Sequence, residues 1–389
     1  MTITAIAGFD VAHGKEGPWV GSDAIASVTF VTGSWGGVGY AMRCYQATAG
    51  QAYVQLGMQI TADGAPQAGG LDTSVMLAFY MGGAYPGANL EIQRGQKATQ
   101  DGMLHISTTG QVGVQRTGGS VIWSTMTMTM DSWYILSFYD NGSSAAGAIT
   151  CKIYSSIGGL LETVTTARTA AATGGNHILL GGITSTTFAF RVDAVVMQGD
   201  VASDTFVDLG YGAGYRVAAL VGTAAGDLLN ATLGDPADVA EIPPSTDTLQ
   251  TRIKVYALGT PGYGSVTTFS WGSISPGAIA GVMAHITHEQ DMDDSDSSTN
   301  AYLYAKSGAT TSHSNAFSSG GANITIASQM RRRLWTSDPN TGIAWTVAGV
   351  SALIIGGGHQ GDRGVDIGHV SIHVLYNVHV GRQSVIWVL

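Results

Sequence analysis

The residues best suited to chemistry in this chain are few and mostly acidic. The stretch HEQDMDDSDSSTN places Asp291, Asp293, Asp294 and Asp296 on one short segment. A hard cation such as Ca2+ takes several oxygen ligands, which clustered aspartates supply. The glycine that turns a calcium-hand loop is missing here, and so is its closing glutamate. A solvated acidic loop is therefore the expected reading, with a Ca2+ site as the alternative. His369, His373 and His379 fall on one face of an alternating strand. Alternate strand residues lie about 6.6–6.8 Å apart, so His369 and His373 stand about 13 Å apart. That is too far to share a metal whose bonds are near 2 Å. A histidine ring around an oligomer axis is the arrangement left to them. His285 and His288, beside the acidic segment, are treated in the same way.

Catalytic constellations are harder to find. Glycoside hydrolysis needs two carboxylates flanking the scissile bond. The glutamates are Glu16, Glu91, Glu162, Glu241 and Glu289, and no two share a strand. There is no G-x-S-x-G elbow, and the Gly-Gly pairs read as turns rather than phosphate loops. The expectation is a protein that is not an enzyme and holds no cofactor. What remains is a set of aromatics in or near loops: Trp19, Trp35, Tyr80, Tyr85 and Trp123. Such rings stack on sugars or pack against another subunit, and subunit contact ranks first.

The composition says what kind of surface surrounds these residues. Charged residues make up 11% of the 389, less than half the usual share. Gly contributes 55, about twice ordinary usage, without the three-residue period of collagen. The polar surface must come from Thr, Ser, Asn, Gln and backbone, as in extracellular β proteins and virus particles. A net charge of −10 argues against nucleic acid as a partner. Arg331, Arg332 and Arg333 alternate faces on a strand, so they form no single basic patch. The first residues, MTITAIAGFD, lack the pattern of a signal peptide, and no apolar run has the length of a membrane span. Cys44 and Cys151 each sit on the apolar side of an alternating strand and read as core thiols, with a disulfide as the alternative.

The pattern that must position all of this is β throughout. Residues 1–205 carry about twelve short alternating segments separated by Gly-rich turns, the signature of a two-sheet sandwich. STMTMTM, from Ser124, puts Met126, Met128 and Met130 on one face. In FAFRVDAVVM, Phe188, Val192 and Val196 fall on one face, with Arg191 and Asp193 on the other. The boundary is placed where the pattern loosens, and residues 206–389 form a second β-sandwich. There, HVSIHVLYNVHV predicts Val370, Ile372, Val374, Tyr376, Val378 and Val380 inward. His369, Ser371, His373, Leu375, Asn377 and His379 are predicted outward. The terminal VIWVL is expected to dock Trp387 and Leu389. Asp338-Pro339-Asn340-Thr341-Gly342 is turn chemistry. Trp345 follows as a plug, then Thr346 as N-cap of a short helix near 346–354, stopped by Gly356-Gly357-Gly358.

Several segments carry a resemblance. GFD at Gly8–Asp10, GGVGYAMRCY at Gly36–Tyr45, DSWYILSFYD at Asp131–Asp140 and FRVDAVVM at Phe190–Met197 make residues 1–200 resemble the concanavalin A-like, laminin-G-type jelly roll. VAEIPPSTDT at Val239–Thr248 and SDPNTGIAWTVAGVSAL at Ser337–Leu353 resemble the module behind such jelly rolls in tailed-bacteriophage virion proteins. The pairing implies a virion structural protein made in the host cytoplasm. Its expected role is capsid decoration of the cement or head-fibre type, acting by subunit contact with other virion proteins as a homotrimer. The alternative is a receptor-binding tail or baseplate protein recognising a host glycan. No membrane partner is expected.

Overall fold

The structure, a computed structural model, describes residues 3–7, 28–35, 40–57, 72–99, 102–141, 147–170, 173–200, 215–227, 231–233, 253–255, 262–272, 274–290, 300–313, 329–360 and 365–378. Within them the chain is antiparallel β with one short helix, two jelly-roll-like sandwiches in tandem. The boundary expected near 205 lies outside the described residues, as do Trp387 and Leu389.

The first sandwich contains β1 (Ile3–Ala7), β2 (Val28–Thr32), β3 (Tyr40–Gly57), β4 (Asp72–Met81), β5 (Leu90–Thr99) and β6 (Gly102–Ile106). It continues with β7 (Val112–Arg116), β8 (Ile122–Trp123), β9 (Ser132–Asn141), β10 (Ala148–Ser155), β11 (Leu160–Ala167) and β12 (Thr173–Asp200). β12 is long enough to serve two layers. Its first half pairs with β5 and its second half with β4. Gly181 lies at the change of layer with φ 132, and a Cβ there would sit 2.4 Å from the Ala52 carbonyl oxygen. Only glycine permits both that φ and that approach. The layers close over Phe79, Phe138, Leu104, Val114 and Ile153. Cys44 and Cys151 are buried free thiols in this core. Burial pushes the Cys44 thiol up to about 12 and raises Cys151 as well. One ion pair, Arg168 with Asp140, is buried at its edge, with Arg168 Nε 2.7 Å from Asp140 Oδ1.

The second sandwich contains β13 (Tyr215–Ala225), β14 (Ala231–Leu233), β15 (Ile253–Val255), β16 (Gly262–Phe269), β17 (Pro276–Gln290) and β18 (Asn300–Ser307). β19 (Thr310–His313), β20 (Gln329–Trp335), α1 (Val347–Ser351), β21 (Ile354–Gln360) and β22 (Val365–Val378) follow. β22 lies between β17 and the pair β13 and β15. Facing it is the layer β16-β21-β18-β19. Val266, Phe269, Val282, Ile286, Leu303, Val370, Ile372 and Val374 fill the space between.

The turn and helix form much as their residues require. Asp338 Oδ1 accepts from the Asn340 amide at 2.9 Å and from the Ser307 hydroxyl at 2.6 Å. Trp345 is buried and donates its indole N–H to the Trp335 carbonyl. Thr346 Oγ1 accepts from the Gly349 amide at 3.0 Å, a true N-cap. The helix ends by Ser351, and Gly356–Gly358 do not stop it. They belong to β21, where a Cβ on Gly356 would fall 2.0 Å from the Gly264 carbonyl oxygen of β16. The glycines are there for strand approach.

Three further expectations are corrected. STMTMTM is not a strand. The Glu162 carboxylate takes the Thr125 and Met126 amides, so those donors never join a ladder. Met128 alone of the three methionines is fully buried. Val196 does not share a face with Val192. A bulge between Asp193 and Val196, with Ala194 at φ 48, flips the later residues. Val196 then pairs with Met76, on the face opposite to Val192 and Phe79.

The third correction concerns β22. Val370, Ile372, Val374 and Tyr376 do face the second core. Yet Ser371, His373 and Leu375, expected outward, are also fully buried. Leu375, Met283 and Val217 join one cluster with Met76, Ala78, Ile135 and Val196 from the outer face of the β4–β9–β12 layer. The two sandwiches therefore pack face to face, and β22 has core on both sides. Arg216 seals the edge, its guanidinium 3.4 Å from the Trp35 ring centroid. The Trp35 amide donates to Asp193 Oδ2 at 2.8 Å. Burial lowers Arg216 to about 10, against the opposing pull of Tyr376 and Asp193, so it stays charged at neutral pH.

Replacing Trp35 with Ala should open this contact and destabilise the fold by about 3–5 kcal/mol, read as a lower urea midpoint. Ile343→Ser, at a side chain 64% exposed, should stay within about 0.5 kcal/mol. Equal effects would show that the sandwiches do not depend on this contact. Asp140→Ala leaves Arg168 buried without its carboxylate and should cost about 3–5 kcal/mol by the same measurement.

Candidate functional site

The residues singled out from the sequence scatter. Asp291, Asp293, Asp294, Asp296 and Trp19 lie outside the described residues. Trp35 is buried between the sandwiches and presents no ring to solvent. Tyr85 is half-buried against Gly110 and donates its hydroxyl to the Met128 carbonyl at 2.9 Å, which holds a loop. Trp123 covers Gly113 and meets His105 edge-on, with centroids 6.4 Å apart. His285 and His373 are brought together across β17 and β22, rings stacked at 4.0 Å in the contact between the sandwiches. Searching along one strand could not have found that pair. Among the described residues, no three His, Cys, Asp or Glu gather as a metal site would require.

Of the four aromatics among the described residues, Tyr80 joins a row of half-exposed functional side chains. It ends β4 on the outer face, just beyond the area covered by the second sandwich. Strand register places four such side chains in a row across adjacent strands. Arg43 of β3 stands opposite Arg191 of β12, Arg191 opposite Tyr80, and Tyr80 opposite Trp133 of β9. All four are half-exposed. With strands about 4.8 Å apart, the row spans about 14 Å.

Its contacts are specific. The Tyr80 and Trp133 rings lie 5.3 Å apart, tilted by 54°. The Arg191 guanidinium sits 4.9 Å above the Tyr80 ring and donates to the carbonyls of Thr32 and Gly33 at 3.2 Å. Arg43 lies 4.5 Å over Tyr45, a ring 43% exposed on the same face. Tyr80 donates its hydroxyl to Asp131 Oδ1 at 3.1 Å. Burial, then that hydrogen bond, raises the phenol above its usual value, so it remains a donor at neutral pH. Asp131 adopts φ 55, left-handed backbone that few residues other than glycine accept. Its amide bonds to the Met81 carbonyl at 2.8 Å, which fixes the turn into β9.

Sequence reasoning found Tyr80 but missed Trp133, Arg191 and Arg43. Trp133 was visible as the outward residue of DSWYILSFYD, and Arg191 as the outward residue of FAFRVDAVVM. Their neighbourhood depends on strand order, which alternation along each strand does not encode.

This is a two-sandwich antiparallel β protein with an aromatic and guanidinium row on a rigid sheet. The row offers ring faces, planar donors and one carboxylate acceptor, which is the chemistry of recognition. No family model matches the chain, and no curated protein matches it. Among solved structures it is similar to a protein of unknown function from Shewanella oneidensis MR-1, at 15% identity and TM-score 0.34, covering 53% of this chain and 91% of that one. It is also similar to domain 4 of an extracellular arabinanase from Geobacillus stearothermophilus, solved with arabinotriose, at 14% identity and TM-score 0.34, covering 52% and 94%. A third is the carbohydrate-binding module of a Ruminococcus gnavus sialidase bound to α2,3-sialyllactose, at 14% identity and TM-score 0.26, covering 34% and 78%. None of these likenesses carries a residue's role to this chain.

His105, beneath Trp123, gives a pH prediction. Burial first, then Arg94, lowers its imidazole to about 4, with the Gln115 hydrogen bond opposing. An unfolded histidine titrates near 6.5. The unfolded chain therefore takes the proton first, and stability present above about pH 6.5 is lost as pH falls toward 4. The loss is at most about 3 kcal/mol. His105→Gln should flatten this part of the pH dependence, read as thermal midpoints at pH 7 and 4.5.

Proposed function

We propose that the protein is a component of a tailed-bacteriophage particle that acts by binding, holding a host-surface glycan on the row Arg43–Arg191–Tyr80–Trp133. The observation that carries this reading is the half-exposed aromatic pair, Tyr80 with Trp133, flanked by guanidiniums on a sheet whose other face is core. Sugar C–H faces pack on aromatic rings, and their hydroxyls pair with planar donors and carboxylates. A row fixed by strand register loses little conformational freedom on binding. The phage assignment rests on the pairing of a half that resembles the concanavalin A-like jelly roll with a half that resembles the module found behind such jelly rolls in virion proteins. The role is binding rather than turnover.

A second reading, subunit contact in a decoration protein, is favoured by a different feature. The β10–β11 hairpin presents Ile157, Leu160 and Leu161 at 88%, 55% and 49% exposure. Clustered apolar side chains at a tip suit burial against a neighbouring subunit. Light scattering separates the readings. Decoration predicts a trimer near three times 40.1 kDa that Leu160→Asp reduces to monomer. EDTA should leave that trimer intact unless the acidic segment holds a cation.

The test of the main reading is adsorption. Free protein should compete with particles for host cells, and Trp133→Ala should lose about tenfold or more of that competition. Wild-type protein that neither binds host-surface glycans nor slows adsorption would sink it.

A further inference from the structure

The row carries a charge arrangement that a neutral sugar does not require. Arg43 and Arg191 stand directly opposite each other on adjacent strands. Like charges in that position destabilise a sheet. Among the described residues, neither guanidinium has a carboxylate within ion-pair distance. Each lies over its own tyrosine instead, Arg43 on Tyr45 and Arg191 on Tyr80. A guanidinium over a ring keeps its N–H donors available to a partner, because the ring face takes the charge and accepts no strong hydrogen bond. Arg191 uses Nη1 on Thr32 and Gly33, while Arg43 makes no hydrogen bond to any described residue.

We infer that this row takes a carboxylated sugar, a uronic or sialic acid residue of a surface polysaccharide, with Arg43 as the fork for the carboxylate. The inference rests on the glycan reading above and narrows it. A guanidinium edge matches a carboxylate in two parallel hydrogen bonds. The rings of Tyr80 and Trp133 take the apolar face of the sugar. Asp131, exposed at the far end with Oδ1 held by Tyr80, accepts sugar hydroxyls. The same carboxylate disfavours a polymer with several charges on each ring, as does the chain's net charge of −10. One carboxylate per sugar ring meets the guanidiniums without crowding Asp131. A polysulfated ring does not.

The test uses the full-length protein and four probes: polygalacturonate, alginate, hyaluronan and polysialic acid. Each is paired with its carboxyl-reduced form, which keeps ring and hydroxyls but loses the charge. Binding is read by biolayer interferometry at two salt concentrations. The expected result is binding to at least one acidic polymer, weakened about tenfold or more by carboxyl reduction or by Arg43→Gln. Arg43→Lys should recover part of the loss, since the charge returns without the fork. Trp133→Ala should weaken acidic and reduced forms alike. Unchanged thermal midpoints in the variants would exclude misfolding as the cause. Equal binding of acidic and reduced polymers would overturn the carboxylate inference and leave the glycan reading standing. Dextran sulfate bound as tightly as the uronates would overturn it too, by revealing a general polyanion patch. No binding to any acidic or neutral probe would overturn both.

Discussion

Everything in this molecule depends on one strand having no solvent side. β22 packs Val370, Ile372 and Val374 into the second core and Ser371, His373 and Leu375 against the first sandwich. A strand buried on both faces must bring polar alternates into a dry contact, where unmatched groups are costly. His285 and His373 stack there with ring centroids 4.0 Å apart, which fills the space with ring-to-ring contact. Leu375, Met283 and Val217 supply the apolar contact around them. Because the sandwiches meet over sheet faces rather than at a linker, the outer face of the first is divided. Met76, Ala78, Ile135 and Val196 are covered, and the end carrying Tyr80 and Trp133 is left open.

The bulge in β12 draws that division. Before it, Arg191 points outward in register with Tyr80. After it, Val196 takes the outward position and is buried against the second sandwich. One extra residue thus converts a polar, half-exposed edge into an apolar contact within a single strand. Left-handed backbone at Ala194 costs about 1–2 kcal/mol. The carboxylate of Asp193 offsets this by binding the Ala194 amide at 2.7 Å and the Trp35 amide at 2.8 Å. The same side chain therefore supports the bulge and positions the ring on which Arg216 rests.

Much of the fold was legible because burial on one face leaves a period of two. The alternating strands of the first half other than STMTMTM, the inward Val370, Ile372, Val374 and Tyr376 of β22, the Asp338 turn and the Thr346 cap follow from local rules. Val378 is not described at its side chain, and Val380 lies outside the described residues. Local rules failed where a second surface intervened. STMTMTM alternates perfectly, yet Glu162 captures its amides from another strand. Val196 continues an alternating pattern, yet the bulge turns it over. Ser371 and His373 look like a solvated face because polar residues alternating with valine usually are one. The candidate site was legible only in part for a related reason. Tyr80 could be picked out as an aromatic near a loop, but its partners come from β3, β9 and β12, and no spacing in the chain announces that order.

The placement of the row also bears on what a surface with so little charge can present to a partner. With 11% charged residues, the surface offers little long-range steering, and isolated exposed charges are screened within about 8–10 Å. Selectivity must come from short-range geometry. Strand register supplies it: neighbouring side chains are held about 4.8 Å apart by backbone hydrogen bonds, not by their own contacts. Cation–π stacking then removes rotamer freedom from Arg43 and Arg191 before any ligand arrives. A loop carrying the same residues would have to order them on binding, at about 0.5–1.5 kcal/mol for each side chain immobilised. The sheet meets that cost during folding, and the core beneath it, with Phe79 stacked on Phe190 at 5.2 Å, keeps the row from relaxing. The row is therefore held by the same backbone ladder as the sandwich itself, and what it presents is set by which groups stand in register.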